Sequence, residues 1–494
     1  MQKRISFLLI VLVLLGCFSA CGKKDASPDG DTTPPPASSG GGGSQEQPEE
    51  TQNPAETLEL PDGLNFDETI HILQRSHVAD EMYAEKYTGE LINDTIYDRN
   101  KTVEATLGVT LEFHTAEGTN QTFATYRSAI TQSALADTAE YQIVANYAYF
   151  CAALAVEGVY HNLLELNPVK ENYLNLDKVW WNSNYVEQAV MNDKLYFIEG
   201  DVTISAINRL EILFYNMNLT STLFPDVDFL EVVHSGEWTY EYFLECVHEA
   251  GAGESSGMWG VTMPCNSTSI DGFIASLGVD IVQRNSRDVP EVSFNTDRTI
   301  SIATALRNLY QFDDSAYADE AQAQTVSAFV EGNAIFHINL LQYAGTTDFK
   351  NLKFEYAVIP LPKWDELQED YLVTAHDEYS TLSVPINVLN TDTVSAVMEL
   401  MGYVSYTELR PALYERTYKV RYLKTEPKAR MFDFIIDHTF FDFGYIYSYP
   451  MGDPVHVLRN NIRYAERNQM LTEIQQGAIS SDAKLREFIA KLYE

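Results

Sequence analysis

Gly253-Glu254-Ser255-Ser256-Gly257 matches the G-x-S-x-G pattern, in which a serine exposed on a strand-to-helix turn attacks an acyl group. The flanks run in the wrong order, with a helical pattern before Gly253 and a strand pattern after Gly257. A helix-ending loop is expected there, not a nucleophile. The ten histidines are scattered, with no H-E-x-x-H pair, and neither an EF-hand loop nor a P-loop occurs. No metal site, cofactor or catalytic residue is therefore expected. Paired carboxylates suited to glycoside hydrolysis carry no weight as a signal, because 71 Asp and Glu residues guarantee that some pair exists. Aromatic and polar side chains better suit binding, since a sugar offers hydroxyls for hydrogen bonds and flat C–H faces for rings. Adjacent Trp180 and Trp181 are candidate stacking residues that equally suit a core.

Periodicity places these residues on elements. A strand is expected over 69–74, a helix over 91–107, strands over 109–114 and 141–145, and helices over 123–135 and 150–156. This β-α-β-α-β alternation predicts a mostly parallel sheet covered by helices, with ligands outside the carboxyl ends of the strands. Those ends carry Arg75 and Ser76, then His114 and Thr115, then Asn146, Tyr147 and Tyr149, the first candidates for a binding rim. Strand-like runs over 194–201 and 210–216 follow. A second α/β unit then opens with a helix over 240–249, a strand over 258–263, a polar turn and a helix over 271–277. Further strands are expected over 354–360 and 381–387, a helix over 391–401, and mainly helix from 408 onward. Some 430 residues of such pattern normally divide into two compact units.

The amino terminus reads as an export signal. Lys3 and Arg4 precede an apolar run too short for a membrane-spanning helix, which needs about 20 residues. Phe18-Ser19-Ala20-Cys21 resembles the lipobox of bacterial lipoproteins, with Phe18 where leucine is usual. The resemblance implies a signal peptide over 1–20, lipidation at Cys21 and an extracytoplasmic chain anchored to the outer face of the cell membrane. Leu14-Leu15-Gly16-Cys17 is a competing match, and ordinary secretion with cleavage near Ala20 is the alternative. Residues 21–58, rich in Gly, Ser, Pro, Gln and acids, cannot bury enough apolar surface to offset chain entropy and read as a flexible tether. A formal charge of −38 argues against nucleic acid, despite the basic stretch of Arg416, Lys419, Arg421, Lys424, Lys428 and Arg430. Cys151, Cys246 and Cys265 are too few for a disulfide framework and read as buried thiols, one pair of which could bridge.

Tyr215-Asn216-Met217-Asn218-Leu219, Phe329 to Phe336, and Phe354-Glu355-Tyr356-Ala357-Val358-Ile359-Pro360-Leu361-Pro362-Lys363 come in the order and spacing of sugar-type extracellular solute-binding proteins, the relatives of maltose-binding protein, and the chain resembles that family. The resemblance implies a two-lobed α/β fold of the periplasmic-binding-protein type II class, with a first lobe over 59–215 and 360–405 and a second over 216–359 and 406–494. It implies hinges at 216–218 and 357–360, with 376–379 as a third candidate. The function implied is capture of a small solute, a sugar or oligosaccharide, by a non-enzymatic monomer that delivers it to the permease subunits of an ABC importer. By the same resemblance, ligand contacts fall on Arg75, Ser76, Asn146, Tyr147 and Tyr149 in the first lobe, and on Asn266, Ser267, Asp271, Asn339 and Tyr343 in the second. Asn266 and Ser267 equally suit a helix cap, and Asp271 a helix first turn. Trp238 corresponds to a packing position. A ligand sensor coupled to a membrane receptor, or a surface carbohydrate-active enzyme, are the competing functions.

Overall fold

A computed structural model describes residues 54–136, 138–251, 257–414, 426–464 and 469–493. The expected signal peptide, Cys21 and most of the expected tether lie outside them, as do Gly253 to Ser256 and the basic residues Arg416, Lys419, Arg421 and Lys424. From Pro54 on, the chain is already attached to the domain. Val179 N–H donates to the Ala55 carbonyl at 3.2 Å, and Lys178 pairs with Glu59 at 2.8 Å. The tether therefore does not extend to residue 58. Cys151, Cys246 and Cys265 are free, buried thiols.

Among the described residues, eleven strands form two main sheets and a small hairpin. β1 (Glu68–Arg75), β2 (Val109–Ala116), β3 (Ile143–Tyr147) and β11 (Ser380–Ser383) build the first sheet in the order β11-β3-β1-β2, with β1 parallel to both β2 and β3. β4 (Glu211–Asn216), β5 (Trp259–Pro264), β8 (Ala316–Asp319), β9 (Ala334–Leu340) and β10 (Tyr356–Pro360) build the second in the order β10-β4-β9-β5-β8. β6 (Val282–Arg284) and β7 (Pro290–Val292) pair as a hairpin. β3, β4 and β9 are buried along their whole length, as expected of strands covered on both faces, which read as apolar runs without alternation. The run 194–201 forms no strand, touching its neighbours only at isolated bridges such as Ile198 with Leu382.

The second lobe is centred on aromatic rings. Phe336 of β9 packs against Phe229, Trp238 and Phe243 at 5.7–5.8 Å between centroids. Trp238 is fully buried and donates its indole N–H to the Pro360 carbonyl at 3.1 Å, a packing role as the sequence indicates. The helix Tyr240–Ala250 presses on β5 so closely that a Cβ at Gly260 would lie 2.1 Å from the Val247 carbonyl oxygen.

In the first lobe the helix Leu91–Leu107 packs on the helix Thr391–Val404, and also on the turns Ser405–Leu409 and Arg410–Tyr414. The first lobe thus runs on to residue 414, past the expected boundary at 405. Of the expected hinges, 376–379 borders the crossing, whereas 216–218 and 357–360 do not. Asn216 to Asn218 sit at the far end of β4, where Asn216 caps the helix Met217–Leu223. The crossing lies at the opposite end. There Glu211 N–H donates to the Thr374 carbonyl and His376 N–H to the Arg209 carbonyl, both at 2.9 Å, and Leu341 N–H donates to the Leu210 carbonyl at 2.8 Å. A hinge belongs where two chain segments pass between lobes side by side, and β4 and β10 lie wholly within one sheet.

Two stability tests follow from this packing. Gly260→Ala sets side chain against backbone, which cannot rotate away, and should cost on the order of 1–3 kcal/mol or more in a urea denaturation. Glu199 is buried beside Asp201, and burial followed by that neighbour pushes its carboxyl up from about 4.5 to about 8. The folded chain then keeps a proton that the unfolded chain releases. Glu199's contribution is full below pH 4.5 and is lost as pH rises towards 8. Glu199→Gln should remove that loss, gaining on wild type by up to roughly 1.4 kcal/mol per pH unit across the window in denaturation midpoints. Parallel pH profiles for the two proteins would refute the assignment.

Candidate ligand-binding site

The carboxyl ends of β1 and β3 meet the chain that crosses between the lobes. Arg75, the last residue of β1, is fully buried and lies over the Tyr147 ring at 4.7 Å. Its Nη2 donates to the Glu378 carbonyl at 2.8 Å and to Ser380 Oγ at 3.0 Å, while Nε and Nη1 have no protein acceptor. Burial lowers its pKa and the nearby Glu81 carboxylate opposes that shift. Glu81 in turn accepts from Arg209 Nη1 at 2.9 Å and from Ser380 Oγ at 2.8 Å. A buried guanidinium with two nitrogens that lack a protein acceptor, near a buried carboxylate, is a fixed hydrogen-bonding group with capacity to spare.

The second lobe supplies the opposite wall. Asp271, in the helix Ser267–Ser276, binds Arg459 of the helix Pro454–Arg463 through both carboxylate oxygens, Oδ1 accepting from Nε at 2.7 Å and Oδ2 from Nη2. Burial raises the Asp271 pKa and Arg459 opposes the shift. For Arg459 burial acts against the charge, but Asp271 and then Asp377 outweigh it and hold its pKa above the usual value. Ser267 Oγ lies 3.1 Å from His376 Nε2 on the crossing chain. Glu211, buried at the start of β4, faces Gly272, where a Cβ would lie 2.2 Å from its Oε2. Burial, then Asp271, pushes its carboxyl well above the usual range.

One hydrogen bond joins the walls directly. Tyr149 OH, from the helix Ala148–Val156 that follows β3 directly, donates to Asp453 Oδ1 at 2.6 Å, the length of a charge-assisted bond. Asp453 has φ +60° and precedes Pro454. A left-handed backbone at a non-glycine residue before proline is strained, and such strain gathers at functional sites. Tyr449 stands edge-on to Tyr149 at 5.4 Å and is well exposed, placing an aromatic rim at the mouth.

The structure thus brings Arg75, Tyr147, Tyr149, Ser267 and Asp271 of the expected contacts to one junction, and separates the others. Asn146, the last but one residue of β3, is fully buried inside the first lobe, donating to Ser383 Oγ at 2.8 Å and accepting from Tyr160 OH at 2.6 Å. Asn339 is likewise sealed in β9, spent on Gln322, His337 and the Leu340 amide. Both side chains are engaged by partners within their own lobe. Asn266 caps the helix Ser267–Ser276 through Thr268 N–H at 2.9 Å, the alternative its sequence position allowed. Ser76 is exposed on the turn after β1, and Tyr343 is half-buried in the turn Leu341–Gly345 beside the crossing, its ring 6.2 Å from Phe349.

Trp180 and Trp181 line a different space, a groove of about 970 Å³ between the first lobe and the connection at 436–441, with Glu199, Asp201, Arg410 and Phe441. Only 1% and 2% of their surface is exposed, and Trp181 Nε1 is held by Glu399 at 2.9 Å. No ring face is open for a sugar to stack on. The convergence of uncommitted polar groups lies instead at the junction between the lobes.

Sequence reasoning missed Glu81, Arg209, Glu211, Asp453 and Arg459, and treated 376–379 as hinge alone. Gly452-Asp453-Pro454 is a helix-start signal. Val455, Leu458 and Ile462 mark the buried stripe of that helix, which would have set Arg459 at its edge. Its partner was beyond reach.

No protein-family model matches the chain, and no curated protein does. Solved structures do. An ABC transporter solute-binding protein from Thermotoga lettingae bound with α-D-tagatose superposes with TM-score 0.56 at 12% identity, over 85% of this chain and all of the other. The GacH receptor of Streptomyces glaucescens, studied unliganded and with acarbose, gives TM-score 0.52 at 14% identity over 86% and 99%. An ABC substrate-binding protein from Listeria monocytogenes in complex with cycloalternan gives 0.51 at 12% over 85% and 98%. With both sheets and the crossing between them accounted for over most of its length, the chain has the two-lobed α/β fold of ABC-transporter solute-binding proteins.

Proposed function

We propose that this protein captures a sugar or oligosaccharide between its lobes and delivers it to an ABC importer. The observation that carries the reading is the junction at which Arg75, Tyr147 and Tyr149 from one lobe face Asp271, Asp453 and Arg459 from the other. Hydroxyls need donors and acceptors held in fixed directions, and the junction supplies both, together with tyrosine rings for C–H faces. The sugars in the similar proteins support the same choice. Ligand would bind one wall and draw the second over it, the closed form being favoured by contacts that need both walls.

Export and anchoring are part of the proposal. Residues 1–20 act as signal peptide, Cys21 carries the lipid, and the following segment tethers the domain above the outer face of the membrane, as a monomer that meets its permease by diffusion. Acyl chains on one cysteine suffice for that, since each buried CH₂ contributes about 0.8 kcal/mol. Among the described residues no helix is long and apolar enough to cross a membrane.

A thermal-shift screen of the purified protein against mono- and oligosaccharides, with chromatography of each mixture, tests capture. A ligand at about 100 times its Kd should add about 2.7 kcal/mol to folded-state stability, and the sugar should be recovered unchanged. A chemically altered sugar would mean an enzyme, and a flat response to every sugar would remove the ligand class. Tyr149→Phe should weaken sugar binding by about 1 kcal/mol, the worth of one hydrogen bond. Arg459→Met leaves the Asp271 carboxylate buried without its partner, and should destabilise the free protein by about 3–5 kcal/mol in urea. Cys21→Ser should move the protein from the membrane fraction to the medium, and retention on membranes would count against the anchor.

A further inference from the structure

Four residues before Arg75 on β1, the pairing of β1 with β2 gathers His71 with two side chains of the neighbouring strand. The parallel register sets His71 opposite Glu112 and Leu73 opposite His114. Side chains two apart on a strand share a face, so Glu112 and His114 project together beside His71. His71 Nδ1 lies 2.9 Å from His114 Nε2 and 3.3 Å from Glu112 Oε2. One ligand atom from each of the three falls within 4.8 Å of the others.

We propose that His71, Glu112 and His114 form a binding site for a borderline first-row divalent cation, with zinc as its representative. Two imidazole nitrogens and one carboxylate oxygen are the donor set of three-ligand zinc sites, which leave the fourth position to water. Bonds of about 2.0–2.1 Å in a tetrahedron put neighbouring ligand atoms roughly 3.3 Å apart. The Nδ1 to Oε2 separation already equals that edge, and the imidazole nitrogens need to part by only a few tenths of an ångström. Imidazole nitrogen favours zinc, copper or nickel over calcium or magnesium, which take all-oxygen shells.

The surroundings suit an ion exchanging with solvent. β2 is the outer strand of its sheet. Glu112 is exposed, while the two histidines are half-buried, His114 against the Tyr141 ring at 5.5 Å. The backbone N–H of His71 donates to Gln142 Oε1 at 2.8 Å, fixing the strand that carries the ligand. Ligands fixed by packing lose little freedom on binding. An ion here would clip the edge strand to its neighbour.

Calorimetry of the purified, metal-stripped protein with Zn²⁺, and separately with Ca²⁺ and Mg²⁺, is the test. One zinc per chain should bind, with no heat from calcium or magnesium. His71→Gln and His114→Gln should each weaken zinc by about tenfold or more. Glu112→Gln, at an exposed position, should weaken it with the thermal midpoint of the metal-free protein unchanged. If the two imidazoles share only an N–H···N hydrogen bond, zinc will give no heat, and the proposal fails. It fails equally if zinc binds with the same affinity in all three variants. Sugar-induced stabilisation should be the same in His71→Gln as in wild type, so the outcome here and the outcome for sugar capture are read separately.

Discussion

The structure depends on the backbone pairing at its waist. Residues 209–211 and 374–376 cross between the lobes side by side, exchanging hydrogen bonds from Glu211 N–H to the Thr374 carbonyl and from His376 N–H to the Arg209 carbonyl. Paired segments can bend or twist together, but they cannot slide. The carboxyl ends of β1 and β3 and the amino ends of the helices Ser267–Ser276 and Pro454–Arg463 are therefore held within reach of each other. Arg209, Glu211 and His376 take their places in the site as members of the crossing. A change in hinge angle must move them and the ligand contacts together.

Charge at this waist is arranged for specificity more than for stability. Glu211, Asp271, Asp377 and Asp453 outnumber Arg459, and burial raises the pKa of three of the four, Glu211 furthest. Burying paired charges returns little net stability, because desolvation offsets the attraction. Their directional value is larger. The two-oxygen contact of Asp271 with Arg459 fixes the angle between two helices, and Tyr149 closes on an Asp453 whose backbone is already strained. A wall held by such contacts keeps its polar groups aimed before the ligand arrives, which lowers the ordering cost of binding.

The two tryptophans show how much direction matters. As residue types they suit a sugar, and they do border a groove of about 970 Å³. Yet Trp181 is anchored by Glu399, and Trp180 stands edge-on to Tyr403 at 5.4 Å. A ring with both faces covered contributes to the core. The three-residue cluster on β1 and β2 teaches the converse, since scattered histidines become neighbours once two strands are paired in register.

Much of the architecture was legible without coordinates, because periodicity of apolar residues is a local property. The helix at 91–107, the order of strands and helices and the restart of the pattern after residue 240 follow from it, and a helix-start signal stands before Arg459. The sequence also determined that Tyr147 and Tyr149 follow a buried strand, which set them at a rim. What it could not decide was which polar residues have spare hydrogen-bonding capacity. Asn146 and Tyr147 are adjacent in one strand, but alternation turns them to opposite faces, and only its partners Ser383 and Tyr160 show that Asn146 is engaged inside its own lobe. Tertiary structure alone decided the pairing of Asp271 with Arg459, 188 residues apart, and the register that sets His71 beside Glu112. Both are long-range choices made by packing and hydrogen-bond geometry, and composition and spacing along one chain do not encode which distant neighbour a side chain will meet.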